Sequence, residues 1–193
     1  MQNKLAGVLL AAGHGRRFGG DKLLARLPDG TPVALAAARN LRTGLAGLQP
    51  TAVLIAVLRP EQEALATLLE GEGFIIVRSA DAERGMGASL AAGVAASADA
   101  QGWIVTLADM PWLRADTIAS VARALNEGAT IAAPVVDGQR GHPVGFSQIC
   151  RDELLQLDGD EGARSVLSRH PVTSIECDDA GALRDIDRPE DLP

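Results

Sequence analysis

The chain has few aromatic residues and few cysteines. Phe, Trp and Tyr make up 3% of its 193 residues, and Tyr does not occur. Recognition of bases by stacked aromatic rings is therefore not expected. The two cysteines, Cys150 and Cys177, lie far apart and form no C-x-x-C pair. We expect them to be reduced thiols that are buried or without a functional role.

Positive charge and long apolar runs are also scarce. The formal net charge is -7, which argues against a nucleic-acid or membrane-surface partner because such partners favour a basic face. Apolar runs are interrupted by Gly or charge before they reach the roughly 20 residues that span a bilayer. The first residues, MQNK, show no secretory or transit pattern. These features predict a cytoplasmic protein.

What the chain does have is an alternation of apolar runs with helical patterns. This alternation is typical of a wound α/β sheet, and the length fits one domain over residues 1–193. Strands are predicted over 5–11, 51–58, 74–77, 102–107, 131–136, 143–146 and 172–176. Helices are predicted over 31–43 (with Thr31 as N-cap), 60–71, 86–97, 115–126, 149–157 and 161–169.

A glycine-rich loop with cations follows the first predicted strand. It reads GHGRRFGGDK over 13–22 and contains Arg16, Arg17 and Lys22. Glycines let backbone N–H groups approach a ligand closely, and the cations would neutralise the charge that those groups hold. The loop therefore predicts a polyphosphate ligand.

Two other glycine-rich loops fit this stretch less well. A Walker A loop needs Gly-Lys-Ser/Thr, whereas Asp21 precedes Lys22 here and Leu23 follows it. The glycines are spaced one residue too wide for the dinucleotide fingerprint. Arg59, at the end of the second predicted strand, would suit an NADP 2′-phosphate. An NADP-dependent oxidoreductase therefore stays open as an alternative.

A carboxylate follows the central predicted strand. Asp109 comes directly after the apolar run 102–107, at the carboxyl end where α/β sheets bind ligands. Beside a triphosphate, such a carboxylate would bind Mg²⁺ as a hard oxygen ligand. The alternative is that Asp109 caps the following helix, although Asp116 or Thr117 could do so instead.

The loop and the acidic element together resemble a known family. The spacing L-A-A-G-x-x-x-R-x-G-x-x-K over 10–22 resembles the signature loop of nucleotidyltransferases with a GT-A-like fold. The string L-A-D-M-P over 107–111 resembles the metal-binding element of that family. The resemblance implies a three-layer αβα Rossmann-like fold with a mostly parallel central sheet. It also implies that Arg17 and Lys22 stabilise the triphosphate of an NTP, which Ala11, Ala12 and Gly13 would contact.

The resemblance extends to the C-terminal stretch. Residues 185–192, DIDRPEDL, are similar to the D-x-D-T-P-E-D-L ending of the family, with Arg188 in place of Thr. The matched position implies Asp187 as the second Mg²⁺ ligand beside Asp109, with Asp185 as the substitute. Read without the resemblance, the same residues could be an acidic helix start.

Further strings resemble the molybdenum cofactor cytidylyltransferases of the MobA-like NTP transferase family. They are R-G-H-P-V over 140–144 and G-D-E-G-A-R over 159–164, and Ala12 also matches the cytidylyl rather than the guanylyl branch. The resemblance implies an enzyme that transfers CMP from CTP to the phosphate of molybdopterin or the molybdenum cofactor and releases pyrophosphate. The remaining implied contacts are Gly87 and Ser89 with the nucleotide, and Arg140, His142 and Arg164 with the acceptor.

The implied partners are these small-molecule substrates. A transient contact with a recipient molybdoenzyme is also compatible with the resemblance. Three alternatives remain besides the oxidoreductase. The acceptor could receive GMP from GTP, a sugar phosphate could replace the pterin phosphate, or the protein could be a non-catalytic chaperone that delivers the cofactor.

Overall fold

The computed structural model describes residues 4–13, 15, 17–48 and 51–192. The strands are β1 (Leu5–Leu10), β2 (Val53–Leu58), β3 (Ile75–Arg78), β4 (Gly102–Leu107), β5 (Ile131–Val136), β6 (Gln139–Arg140), β7 (Val144–Ser147) and β8 (Val172–Glu176). The helices are α1 (Val33–Ala46), α2 (Glu63–Glu70), α3 (Met86–Ala95), α4 (Ala115–Asn126), α5 (Arg151–Leu155) and α6 (Arg164–Arg169). Short 3-10 turns lie at Ala80–Arg84, Gln148–Cys150, Ala180–Leu183 and Pro189–Asp191.

The strands form one sheet in the order β3-β2-β1-β4-β7-β5-β6, with β8 beside β5. The first four are mutually parallel, whereas β7 runs antiparallel to both β4 and β5. In the parallel part, Leu10 is in register with Val57 and Leu107. The segments that follow β1, β2 and β4 therefore leave the sheet at the same edge.

Helices cover both faces of the sheet. Leu41 of α1, Leu65 of α2 and Ile118 of α4 are buried with one face, and Leu90 of α3 and Leu154 of α5 are buried with the other. Strands covered on both sides read as continuous apolar runs, which is the pattern seen in β1, β2 and β4. The three-layer αβα fold with a mostly parallel sheet is confirmed.

Small residues bring α3 close to the sheet. A Cβ on Gly93 would lie 2.7 Å from Val8 Cγ1, so a larger residue there would push the helix away. The alanine-rich composition of this helix has the same effect along its length. As a result, the start of α3 lies close to the ends of β1 and β4.

The structure corrects the start of the first helix. The N-cap of α1 is Pro32, and no side chain caps the helix. Thr31 instead belongs to the preceding turn, where its N–H donates to Asp29 Oδ1 at 2.8 Å. The prediction of Thr31 as N-cap was wrong: its backbone is bonded within this turn, where its carbonyl oxygen also accepts from the N–H of Leu27, and α1 begins after Pro32. Within the described residues, no helix is long and apolar enough to cross a membrane.

Candidate active site

A cavity of about 350 Å³ opens at the carboxyl edge of the sheet, beside the ends of β1 and β4. It brings together six of the residues expected at the nucleotide or the metal: Ala11, Ala12, Gly13, Lys22, Ser89 and Asp109. Leu10 and Leu107 form part of its apolar wall. The position agrees with the rule that parallel α/β sheets bind ligands outside the carboxyl ends of their strands.

The ammonium group of Lys22 lies among acidic oxygens. Its Nζ donates to Asp109 Oδ2 at 2.7 Å and to the carbonyl oxygen of Ile186 at 2.9 Å, and it is 3.5 Å from Asp187 Oδ1. Burial alone would lower the pKa of Lys22, but the charges and hydrogen bonds of the two aspartates outweigh it. The pKa of Lys22 is therefore raised, so the side chain is a fixed cation at neutral pH.

Three carboxylates converge at the same point. Asp109, Asp185 and Asp187 each offer an oxygen within 4.8 Å of the others. Asp109 Oδ1 is buried and has no hydrogen-bond partner within the described part of the chain. Burial, and then the charges of Asp109 and Asp187, raise the pKa of Asp185. Hard oxygen ligands and concentrated negative charge fit a divalent cation such as Mg²⁺ or Mn²⁺.

Hydrogen bonds hold the C-terminal stretch at this position. The N–H of Ile186 donates to the carbonyl oxygen of Asp109 at 2.9 Å, and the Ile186 side chain is buried. The N–H groups of Asp187 and Arg188 donate to Asp191 Oδ2 at 2.8 and 2.7 Å. Arg188 contributes through its backbone here, so its replacement of the usual Thr leaves the carboxylate of Asp187 in place.

Arg17 lies at the outer side of this cluster. Its Nη1 donates to Asp187 Oδ2 at 2.9 Å, while 74% of the side chain is exposed. The loop thus contributes two cations to one carboxylate, Lys22 from the inside and Arg17 from the solvent side. Arg16, the third cation of the loop, lies outside the described residues, as does His14.

The two residues predicted near the start of α3 differ in their surroundings. Ser89 lines the cavity, and its Oγ donates to the carbonyl oxygen of Gly85 at 3.3 Å. Gly87 is buried under the segment that precedes α6. Its N–H donates to the carbonyl oxygen of Gly159 at 2.9 Å, and a Cβ on it would lie 2.7 Å from the carbonyl oxygen of Asp158. The segment at Asp158 and Gly159 therefore packs closely against Gly87, in the place where a nucleotide was expected.

A second cavity of about 390 Å³ adjoins the first. The three residues expected at the acceptor, Arg140, His142 and Arg164, all line it. Its apolar wall consists of Leu10, Met86, Leu90, Val105, Leu107, Val144, Phe146, Ala163 and Leu167. The two cavities adjoin at Leu10, Met86, Leu107 and Asp160, which line both.

His142 is a partly buried polar residue of the second cavity. Burial lowers its pKa more than the nearby charge of Asp109 raises it, so the imidazole is neutral at physiological pH. Its Nδ1 is buried and has no partner among the residues that the structure describes. A neutral ring nitrogen of this kind can accept a hydrogen bond from a ligand.

The role of two side chains after β2 was not predicted from the sequence. Arg59 Nη1 donates to the carbonyl oxygens of Ala12 and Gly13, and Gln62 Nε2 donates to that of Ala11. The basic residue at the strand end was noticed, but it was read as a ligand for an NADP 2′-phosphate. Asp160 was noticed only within a matched string and not as a residue between two cavities.

The chain is similar to a known protein family and to several named proteins. Residues 7–174 match the model of the MobA-like NTP transferase domain, which leaves Asp185 and Asp187 beyond the matched part. The purine catabolism protein PucB of Bacillus subtilis (strain 168) is 32% identical over 97% of this chain and 93% of its own. The molybdenum cofactor guanylyltransferase of Cupriavidus pinatubonensis is 31% identical over 99% and 96%. The molybdenum cofactor cytidylyltransferase of Escherichia coli (strain K12) is 29% identical over 61% and 59%.

Solved structures with a similar fold include two of the same mycobacterial protein. Rv0371c from Mycobacterium tuberculosis H37Rv has a TM-score of 0.83 and 29% identity, covering 99% of this chain and 96% of that one. A structure of Rv0371c in complex with manganese has a TM-score of 0.79 and 27% identity over the same shares. The fold, the cavity at the carboxyl edge of the sheet and the match over 7–174 lead to one conclusion: this chain belongs to the MobA-like NTP transferase family of nucleotidyltransferases.

Proposed function

We propose that this protein transfers CMP from CTP to the phosphate of molybdopterin or the molybdenum cofactor and releases pyrophosphate. The observation that carries the proposal is the pair of adjoining cavities. One is lined by Lys22 and Asp109, and the other is lined by Arg140 and Arg164 together with an apolar wall. A nucleotide and a phosphorylated acceptor bound in these cavities would meet at the residues that line both.

The transfer needs no general base from the protein, because the attacking phosphate oxygen carries no proton. An oxygen of the acceptor phosphate, ionised near neutral pH, forms a bond to the α-phosphorus of CTP. The bond from that phosphorus to the bridging oxygen of the β-phosphate breaks, and pyrophosphate leaves with the electron pair. Catalysis is then alignment together with neutralisation of charge.

Cations of the loop would neutralise the triphosphate. Lys22 is held in the cavity as a permanent cation, and Arg17 is exposed enough to turn towards a ligand. Both would stabilise the charge that develops on the leaving pyrophosphate. Asp109 and Asp187 would hold Mg²⁺, which supplies further charge neutralisation at the phosphate oxygens.

The choice of CTP rests on Ala12 and on the string over 140–144. Ala12 lines the first cavity, where a larger or smaller residue would change the fit of the base. A guanylyltransferase is the second candidate, since the guanylyltransferase of C. pinatubonensis matches 99% of this chain. The cytidylyltransferase of E. coli matches 61% of it.

The acceptor would bind in the second cavity. Its apolar wall suits a flat ring system, and the exposed guanidinium groups of Arg140 and Arg164 suit a phosphate. The neutral His142 would accept a hydrogen bond from a ring N–H. These three features together favour a phosphorylated heterocycle over a sugar phosphate, which would leave the apolar wall uncovered.

Pyrophosphate release tests the proposal. CTP, GTP and ATP are each incubated with the protein and Mg²⁺, with and without molybdopterin. We expect release that needs molybdopterin and is fastest with CTP. Faster release with GTP would support the second candidate instead, and no release with any nucleotide would refute the enzyme assignment.

A further inference from the structure

We infer that Arg59, together with Gln62, is a positioning residue for nucleotide selection: it orients the backbone of Ala11, Ala12 and Gly13 towards the nucleotide. The inference rests on the proposed function, because it takes the first cavity to be the nucleotide site. It gives a role to a partly buried cation that the transfer step itself does not use.

Two side chains hold three consecutive carbonyl groups. Gln62 Nε2 donates to the carbonyl oxygen of Ala11 at 3.2 Å, and Arg59 Nη1 donates to those of Ala12 at 2.9 Å and Gly13 at 2.7 Å. The N–H of Arg59 in turn donates to Gln62 Oε1 at 2.7 Å. The two side chains therefore act as one unit, which we call the carbonyl clamp.

The carbonyl clamp is itself fixed in place. The Arg59 side chain is 14% exposed, and its Nε donates to Glu61 Oε1 at 2.6 Å. Gln62 is buried. The guanidinium fork is rigid and planar, so it can hold two neighbouring carbonyl oxygens in a set direction. Its Nε and Nη1 both donate to groups of the protein.

Peptide geometry transfers this constraint to the cavity. In a trans peptide the C=O and the following N–H point in opposite directions. Fixing the carbonyl groups of Ala11 and Ala12 therefore fixes the N–H groups of Ala12 and Gly13 on the other side. Neither N–H has an acceptor among the described residues, and both residues line the first cavity.

Unpaired backbone donors at a cavity wall are suited to ligand acceptor atoms. Buried N–H groups are nearly always paired, and Ala12 is buried. A nucleotide whose acceptor atoms match these two directions gains both hydrogen bonds, and one whose atoms do not match leaves a donor unsatisfied. The carbonyl clamp thus selects among nucleotides without touching them.

Arg59→Met and Gln62→Met test the inference, and Arg59→Lys is the conservative variant. Arg78→Met is the matched control: Arg78 ends the neighbouring strand and donates to the carbonyl oxygen of Pro60 and to Glu63, but lines neither cavity. Dissociation constants for CTP and GTP are measured by calorimetry, together with KM, kcat and Tm.

We expect Arg59→Met to weaken CTP binding by about tenfold, the effect of losing roughly one to two hydrogen bonds. We also expect the ratio of GTP to CTP affinity to move towards one, with kcat at saturating CTP within about threefold of the wild type because Lys22 and Asp109 are untouched. Arg59→Lys should restore part of the affinity, and Gln62→Met should show a smaller loss in the same direction.

The inference is overturned if Arg59→Met and Arg78→Met lower Tm alike and leave both affinities and their ratio at the wild-type values. It also falls if the wild type binds no nucleotide, since the first cavity is then not the nucleotide site. A wild type that binds CTP but transfers nothing would refute the proposed function alone, because the effect of the carbonyl clamp on binding would still be measurable.

Discussion

At the level of single residues, the candidate active site depends on a few charged side chains that lie within hydrogen-bond distance of one another. The ammonium of Lys22 lies 2.7 Å from Asp109 and 3.5 Å from Asp187, and Arg17 lies 2.9 Å from the other oxygen of Asp187. Because the side chain of Lys22 is 9% exposed, water screens these interactions less than it would at the surface. Changes that remove one charge and keep the shape should therefore have large effects on chemistry.

Asp109→Asn should lower turnover by at least about a hundredfold, because the amide no longer carries the charge that holds a metal ion and faces Lys22. The shape of the side chain is kept, so Tm should stay within a few degrees of the wild type. Steady-state pyrophosphate release and thermal melting are the measurements. Asp99→Asn, at an exposed surface position, is the control. An Asp109→Asn protein with near-wild-type turnover would remove Asp109 from the site.

Lys22→Met should lower turnover and, in nucleotide-free protein, tighten the binding of Mn²⁺. The ammonium contacts oxygens of both proposed metal ligands, so removing it relieves the repulsion that an entering cation meets. Titration of free Mn²⁺ by electron paramagnetic resonance measures the affinity. Lys4→Met, which removes an exposed lysine elsewhere, should leave Mn²⁺ binding unchanged. Equal Mn²⁺ affinity in Lys22→Met and wild type would contradict this account.

Cys150 should resist alkylation in the native protein. Burial, and then the charge of Glu153, raise the pKa of its thiol to about 11, so that at pH 8 only about one molecule in a thousand carries the reactive thiolate. Cys177 is only partly buried and should react with iodoacetamide first. Mass spectrometry of protein labelled at pH 8, with Cys177→Ser as control, gives the rates. Equal labelling of both cysteines before unfolding would contradict the prediction.

At the scale of elements, close packing of helices determines where the strand ends lie. Gly44 in α1 faces α4: a Cβ there would lie 2.7 Å from the carbonyl oxygen of Ala115 and from Ile118 Cβ. Gly93 allows the same closeness between α3 and β1. Small residues at these contacts keep both helical layers against the sheet, and with them the loops that form the cavities.

Gly44→Ala should lower the free energy of unfolding by about 1–3 kcal/mol, because α1 and α4 must separate to admit the methyl group. Gly47→Ala is the matched control. It follows the same helix in a right-handed helical conformation and has open space around the built Cβ. That substitution should be neutral or stabilising by up to about 1 kcal/mol. Urea unfolding of both variants measures the difference, and equal effects would show that the contact between α1 and α4 is not tight.

The sequence was most informative about elements whose own pattern is strong. The predictions of 102–107, 115–126, 131–136 and 172–176 agree with β4, α4, β5 and β8 residue for residue. Segments 102–107 and 131–136 are apolar runs, 115–126 has a clear helical pattern, and 172–176 is rich in β-branched residues. The two-residue strand β6 and the 3-10 turns were missed because they are defined by contacts with distant parts of the chain. No local pattern specifies such contacts.

In the candidate site, too, residues in local motifs could be predicted from the sequence, whereas contacts between distant parts of the chain could not. Lys22 and Asp109 stand in local motifs, and they are in contact in the structure. The cap of α4 shows what local reasoning misses. The N–H of Arg114 and the hydroxyl of Thr117 both donate to Asp179, which lies more than sixty residues away. The carbonyl clamp was missed for the same reason, since it depends on the register between β1 and β2.

At the scale of the whole molecule, the fold brings distant parts of the chain to one edge of the sheet. The loop after β1, the segment after β4 and the stretch after Ala180–Leu183 meet at Lys22, Asp109 and Asp187. The segment before α6 closes the other side through Asp160, which lines both cavities. Two cavities that share a wall are the arrangement that a group transfer between two substrates needs.

The most direct test follows the nucleotide itself. The protein is incubated with Mg²⁺ and molybdopterin and with CTP labelled with radioactive phosphorus at either the α or the γ position. We predict that the α label appears in the pterin product and the γ label in pyrophosphate, and that labelled GTP gives far less product. Absence of the α label from the pterin product, or more product from GTP than from CTP, would contradict the proposed cytidylyl transfer.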